Sequence, residues 1–265
     1  MLYPINKNRR GKALWLGFLL FILPFSGICQ EYTKDLTNAV LWQQRSGEYR
    51  ALCFQAYNAA RFSLNEKIRS PGEKPRCIVV DIDETLLDNS PQSGQSVLKK
   101  IGFDLAEWKR WTNLAKADTV PGALSFLKYV AEKNIEVFYI SNRDQSELNA
   151  TIENLNRYGF PNVDRPHLLF REDTSNKQQR RDFVSDRYEI TLLIGDNLSD
   201  FSTIFYQEGK ETDSEVDRHA SLFGVNYIIL PNPMYGDWEQ ALYPKKKQLT
   251  EEEKAIIRLE KIKGY

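Results

Sequence analysis

Five short apolar runs, each separated from the next by a stretch of helical periodicity, set the tightest limit on what this chain can fold into. Cys77-Ile78-Val79-Val80 and the segments 135–140, 167–170, 191–194 and 226–230 are too short for helices. They are also apolar without alternation, the pattern of strands covered on both faces. Helical patterns fill the intervals near 93 to 101, 104 to 118, 122 to 133 and 145 to 158, and Ser175-Asn176-Lys177-Gln178 opens another. Asp144-Gln145-Ser146-Glu147 reads as a capping box, and Gly159 as a stop. Strands alternating with helices, joined by right-handed crossovers, predict an α/β fold with a three-layer, Rossmann-like parallel sheet. Ligands bind such sheets beyond the carboxyl ends of the strands, so the residue after each strand is the first candidate for chemistry.

The flanks are helical. From residue 31 to about 69, Tyr49, Leu52, Cys53, Ala56, Tyr57 and Ala60 make one apolar stripe, which predicts Cys53 as core, and Cys77 in its apolar run likewise. Pro71-Gly72 and Pro75 break the chain before the first strand. At the other end Thr250-Glu251-Glu252-Glu253 caps a helix whose apolar face, Ala255, Ile256, Leu259 and Ile262, is expected to pack.

The first residues read differently. Lys7, Arg9, Arg10 and Lys12 precede the apolar stretch 13–25 and then Ser26-Gly27-Ile28-Cys29, which predicts a signal peptide over 1–29 and export to the periplasm or cell envelope. Cleavage after Cys29 releases the chain; cleavage before it exposes a cysteine for a lipid anchor, the one route by which a membrane would be a partner. Residues 30–265 are then one domain, with a small helical cap formed around 88–120 plus the terminal segments.

The 265 residues carry 36 basic and 36 acidic side chains. Without the four early cations the balance is 32 to 36, which lacks the basic field of nucleic-acid binders. A chain of this length needs no staples, so three Cys suggest neither a zinc ribbon nor a disulfide scaffold. With two His, placed at a strand (His167) and near a helix start (His219), histidine phosphatase and multi-histidine dinuclear centres are excluded. No Gly-x-x-x-x-Gly-Lys loop and no Cys followed six residues later by Arg occurs, which removes nucleotide kinases and cysteine phosphatases.

The segments just beyond the strands are acidic. Asp81-Ile82-Asp83-Glu84-Thr85 comes after the first, Ser141-Asn142-Arg143-Asp144 after the second and Gly195-Asp196-Asn197-Leu198-Ser199-Asp200 after the fourth. Carboxylates converging from two strand ends repel unless a cation lies between them, and hard oxygen ligands point to Mg²⁺. Asp81 and Asp83, two apart, suit a nucleophile and a general acid and base. Ser141 and Lys177 can bind phosphoryl oxygens. Asp88, Asp104 and Asp144 read as caps and turn residues.

Together these residues resemble the four motifs of the haloacid dehalogenase (HAD) superfamily: Asp81-x-Asp83-x-Thr85, Ser141, Lys177 and Gly195-Asp196-x-x-x-Asp200. Within it the chain is similar to the class C acid phosphatases, the lipoprotein acid phosphatase and 5'-nucleotidase group. Residues 40–52, 80–89, Ser175-Asn176-Lys177 with Arg180-Arg181, and 194–201 carry that likeness.

The resemblance implies that Asp81 attacks phosphorus and forms an aspartyl-phosphate, while Asp83 protonates the leaving alcohol and then activates water. It implies Mg²⁺ on Asp81, the Asp83 carbonyl and Asp196, with Asp200 behind it and Thr85 ordering the loop. Ser141 and Lys177 would grip phosphate. Nucleoside monophosphates would stack on aromatics, with Trp108, Trp111 and Tyr235 as candidates. Where the family usually has an aromatic after Asp88-Asn89-Ser90-Pro91, this chain has Gln92-Ser93-Gly94-Gln95, which weakens one wall of that slot. The competing readings are a non-catalytic envelope binding protein on the same fold and a phosphotransferase using the same intermediate.

Overall fold

The computed structural model describes residues 29–206, 212–244 and 249–265, with side chains from 36 onward. The expected signal peptide lies almost wholly outside them. In chain order the major elements are α1 (Cys29–Arg45), α2 (Gly47–Lys67), β1 (Arg76–Val80), β2 (Leu87–Asp88), α3 (Ser90–Lys99), α4 (Leu105–Thr112), β3 (Asp118–Thr119), α5 (Ala123–Glu132) and β4 (Glu136–Asp144). They continue with α6 (Leu148–Tyr158), β5 (Leu168–Arg171), α7 (Gln178–Ser185), β6 (Glu189–Gly195), α8 (Asp213–Arg218), β7 (Tyr227–Ile229), α9 (Asp237–Gln240) and α10 (Glu251–Lys261).

Five of these strands form one sheet in the order β5-β4-β1-β6-β7, parallel throughout. The apolar runs are explained by what covers them. Ile78, Val80, Val137, Tyr139, Leu192 and Ile194 face the main core with α2, α5 and α6. Cys77, Val79, Phe138 and Ile140, the alternate positions, face a smaller cluster with Val184 of α7. This is the three-layer α/β fold the sequence predicts. From β1 the chain winds outward to β4 and β5, then returns to lay β6 and β7 on the other side. The switch in direction falls between β1 and β6, where such sheets open a crevice.

The segment after β1 leaves the sheet and returns: β2 pairs antiparallel with β3, and α3 and α4 lie between them. α1 packs on α3 and on α10, so both ends of the described chain meet this insertion.

Several elements differ from expectation. The 31–69 helix is two helices, because Ser46 breaks it and its Oγ caps α2 by accepting from Tyr49 N at 3.0 Å. The 104–118 helix stops at Thr112, and Ala115 takes φ +50° in the turn that leads to β3. The 145–158 helix opens as a 3₁₀ turn, with the capping box in place. On α10 only Ala255 is buried; Ile256, Leu259 and Ile262 are 53%, 60% and 70% exposed, because the helix meets the body along its Ala255 edge and its far end projects. His219 ends α8 and stands just before a short 3₁₀ turn, Ala220–Leu222.

Candidate active site

The site begins where β1 ends. Asp81 N donates to Ile194 O at 2.9 Å, which extends the β1–β6 pairing by one residue and sets the Asp81 carboxylate at the crevice. The chain then turns back tightly: Leu86 N and Leu87 N both donate to Ile82 O at 2.9 Å. The turn puts Glu84 at φ +53°, a left-handed conformation that a non-glycine residue holds only where its surroundings enforce it. The enforcement is visible. The fully buried Glu84 carboxylate accepts from Asn89 N at 2.8 Å, from Asn89 Nδ2 at 3.2 Å and from the Tyr235 hydroxyl.

Asp196 follows β6, and Asp200 closes the next 3₁₀ turn, its carboxylate accepting from Asn197 N at 3.1 Å. Gly195 is required here, since a Cβ would run into the Asp200 carboxylate. One oxygen from each of Asp81, Asp196 and Asp200 lies within 4.8 Å of the others. Lys177, the residue before α7, bridges Asp81 and, at 2.6 Å, Asp200. Asn232 Nδ2 and Asn197 Nδ2 each donate to Asp196 Oδ2 at 2.8 Å, and Thr85 Oγ1 is 3.4 Å from its Oδ1.

These groups hold charge under strain. Burial, with Asp200 and Asp83 nearby, pushes Asp81 up to about 7 despite the Lys177 ammonium. Burial and then Asp200 and Asp81 push Asp196 well above the usual carboxylate range. Burial presses Lys177 down, but Asp200 and Asp81 outweigh it and hold the ammonium above its ordinary value. Three carboxylates against one ammonium leave negative charge uncompensated, and every donor is a hard oxygen. That set fits a divalent cation.

Asp83 faces another way. Arg143 reaches it through Nη2 at 2.7 Å and Nε at 3.0 Å, while Asn89 Nδ2 donates to the same Oδ1 at 2.8 Å. Arg143 is itself fixed, 1% exposed, with Nη1 donating to Thr151 Oγ1 at 2.9 Å. The motifs assign Arg143 no role, yet a signal is present in the sequence: it is two residues beyond Ser141, so along an extended strand both lie on one face. Glu84 has no such signal, because nothing in its neighbours announces a left-handed carboxylate. Arg180 and Arg181 stand in the sequence only as part of a motif. Arg180 fixes the carboxyl end of β4 through Ser141 O at 2.6 Å and Asn142 Oδ1 at 2.7 Å, and Arg181 fixes the Asp200 turn through Asp200 O at 2.8 Å.

A cavity of about 710 Å³ opens over these groups, a volume typical of small-molecule sites. Asp81, Asp83, Lys177, Asp196 and Asp200 line its floor. Ser141 and Thr85 do not: both are fully buried, and Ser141 Oγ accepts from Arg143 N at 3.1 Å. Of the aromatic candidates, Trp108 and Tyr235 line the cavity. Trp111 does not; its indole donates to Asn89 Oδ1 at 2.8 Å, and the ring packs on the main core and borders a separate cleft between α3 and α4. Phe103, outside the motifs, takes a place on the wall at a ring distance of 6.3 Å from Trp108. It stands just before the α4 cap Asp104, where a residue staples back onto the first turns. Gln92 and Ser93 also line the cavity, so the stretch lacking the usual aromatic supplies polar wall instead.

Known proteins share this fold. The profile of the HAD superfamily, subfamily IIIB (Acid phosphatase), matches residues 22–238. The chain belongs to that acid phosphatase family. It is similar to the class C acid phosphatase from Bacillus anthracis, at 40% identity and a TM-score of 0.84 over 89% of this chain and 99% of that one. It also resembles acid phosphatase 1 of Solanum lycopersicum, 27% identical over 59% of this chain and 57% of that protein. A third relative, vegetative storage protein 2 of Arabidopsis thaliana, is 23% identical over 78% of this chain and 71% of its own length. The chain therefore sits among acid phosphatases, a family of phosphomonoesterases, and spans only about 57% of the Solanum relative.

Proposed function

We propose that the chain is an exported, Mg²⁺-dependent phosphomonoesterase that hydrolyses nucleoside 5'-monophosphates and other small phosphate esters through an aspartyl-phosphate. The observation that carries this reading is the division of labour between two aspartates two residues apart. Asp81 lies in the carboxylate and ammonium cluster, while Asp83 is turned toward the cavity by Arg143 and Asn89. Such a pair suits attack by one and proton transfer by the other.

Asp81, Asp196 and Asp200, with the Asp83 carbonyl, would hold the metal, which when bound supplies positive charge for the phosphoryl oxygens. In the first step an Asp81 oxygen bonds to phosphorus, the ester P–O bond breaks, and Asp83 gives its proton to the departing alcohol oxygen. In the second, Asp83 takes a proton from water, the water oxygen bonds to phosphorus, and the Asp81–phosphorus bond breaks to release phosphate. Lys177 binds the phosphoryl group electrostatically, and Ser141 supports the loop below it. The basic and apolar leader supports export, and Cys29 decides between release and a lipid anchor. Phe103, Trp108 and Tyr235 offer faces for a base, worth about 1–3 kcal/mol per stacked base.

The test is phosphate release by the purified protein from a panel of nucleoside monophosphates and an aryl phosphate, with Mg²⁺ or with EDTA, beside Asp81→Asn. Metal-dependent turnover that disappears in Asp81→Asn is the expected result. A folded wild type that releases no phosphate from any ester with Mg²⁺ present would overturn it.

A further inference from the structure

Four basic side chains line the cavity, and three of them already face a carboxylate. Arg143 holds Asp83, Lys177 bridges Asp81 and Asp200, and Lys254 lies 2.8 Å from Glu251. Arg171 is the fourth. It is the last residue of β5, half-buried in the cavity wall, and among the described residues its guanidinium has no ion pair or side-chain hydrogen bond.

The acid opposite it in the sheet is engaged elsewhere. Arg171 lies opposite Asp144 in the β4–β5 register, but the Asp144 carboxylate is occupied by Lys109 at 3.1 Å and by Ser146 N at 3.0 Å. The nearby charge on the α7 side is another guanidinium. Arg180 is held below its ordinary value by burial first, then by Arg181 and Arg171, against the pull of Asp81 and Asp200. Arg180 makes its bonds to two carbonyls, Ser141 O and Leu169 O, and to Asn142 Oδ1, so it brings no carboxylate to Arg171. With its oxygen taken, the Asn142 amide keeps Nδ2 free among the described residues, and Asn142 also lines the cavity.

This leaves an amide donor on β4 and a cation on β5, in a cavity whose reacting centre is at β1, two strands away from the cation. At about 4.8 Å between neighbouring strands that is roughly 10 Å, part of which the arginine side chain spans. A phosphate at Asp81 does not need Arg171, so its donors answer to a different group.

We propose that Arg171 and Asn142 form a second anion subsite, and that the preferred esters are phosphomonoesters whose leaving group carries a further phosphate. The inference rests on the phosphomonoesterase reading and names its substrate class more narrowly. Guanidinium donors in a fixed fork bind phosphate oxygens in pairs, and such charge-assisted bonds are the stronger kind.

The test compares wild type, Arg171→Gln and Arg171→Lys, with Mg²⁺, on adenosine 3',5'-bisphosphate, adenosine 5'-monophosphate and 4-nitrophenyl phosphate. The readout is the ratio of kcat/KM between bisphosphate and each of the other two. Wild type is expected to favour the bisphosphate, Arg171→Gln to lower that ratio about tenfold through KM, and Arg171→Lys to restore part of it. A ratio unchanged by Arg171→Gln overturns the subsite, whatever the absolute rates. A wild type that turns over none of the three overturns the hydrolase reading, and the subsite falls with it.

Discussion

At the scale of single residues, the proposed chemistry depends on a carboxylate that cannot aim itself. Asp83 is three residues past β1 on a turn, and its direction is set by Arg143 at 2.7 Å and Asn89 at 2.8 Å. In Arg143→Gln the carboxylate loses its charged partner, and Thr151 Oγ1 loses a neighbour. The proton Asp83 delivers matters most for a poor leaving group, so kcat on a nucleoside monophosphate should fall about a hundredfold, and far less on 4-nitrophenyl phosphate. Equal losses on both esters would show that Arg143 only stabilises the fold. The contrast with Asp81 shows where reading a sequence stops. Asp81, Asp83, Asp196 and Asp200 sit in spacings that chemistry itself demands, and they are legible. Arg143 shows in the string only as the position two beyond Ser141, and Glu84 acts through a backbone angle that a linear string does not display. Trp108 and Trp111 are indistinguishable in sequence, and they separate because one indole reaches Glu147 at 3.0 Å while the other reaches Asn89 and the core.

At the scale of elements, the insertion that roofs the cavity is fastened to the sheet body by several side chains: Trp108 and Thr112 reach Glu147, Lys109 reaches Asp144, and one further tie grips the main chain itself. Asn154, buried on α6, accepts from Ala117 N at 3.0 Å and donates to Ala117 O at 2.9 Å, just before β3. Asn154→Leu would leave both main-chain groups buried without partners, at about 1–3 kcal/mol each. A melting temperature lowered by roughly 5–10 °C is the expected outcome for a domain of this size, followed by circular dichroism. A change within a degree or two would show that the insertion is held elsewhere. Such a tie joins residues 37 apart and has no periodicity, which is why the sequence does not announce it. The strands are legible for the opposite reason: burial on both faces writes itself as an unbroken apolar run. The 104–118 segment misleads because its helical spacing continues past the point where α4 ends, and Ala115 gives no sign of its left-handed turn.

At the scale of the whole molecule, the acidic cluster links stability to pH and to metal. Burial raises Asp81 to about 7, and burial raises Asp196 and Glu84 well above their ordinary range. Between the usual carboxylate range and the raised values, the folded protein binds more protons than the unfolded chain does. Stability of the metal-free protein therefore falls as pH rises across that window, the reverse of what depressed carboxylates give. His167, raised by its hydrogen bonds to Glu136 and Asp164 against burial, has the same sign, because its contribution is also lost as pH rises through its folded value. In EDTA the protein is expected to melt several degrees lower at pH 8 than at pH 5. A divalent cation binds only the ionised cluster, so Mg²⁺ should raise the melting temperature at pH 8 far more than at pH 5 and narrow or reverse the gap. Asp196→Asn separates the two contributions: it removes one raised carboxylate, so the EDTA gap should shrink, and it removes a ligand, so the Mg²⁺ response at pH 8 should weaken. A metal-free protein that melts higher at pH 8 than at pH 5 would mean that the cluster is not what governs stability, and that its carboxylates are already relieved of charge by their hydrogen bonds and by Lys177 alone.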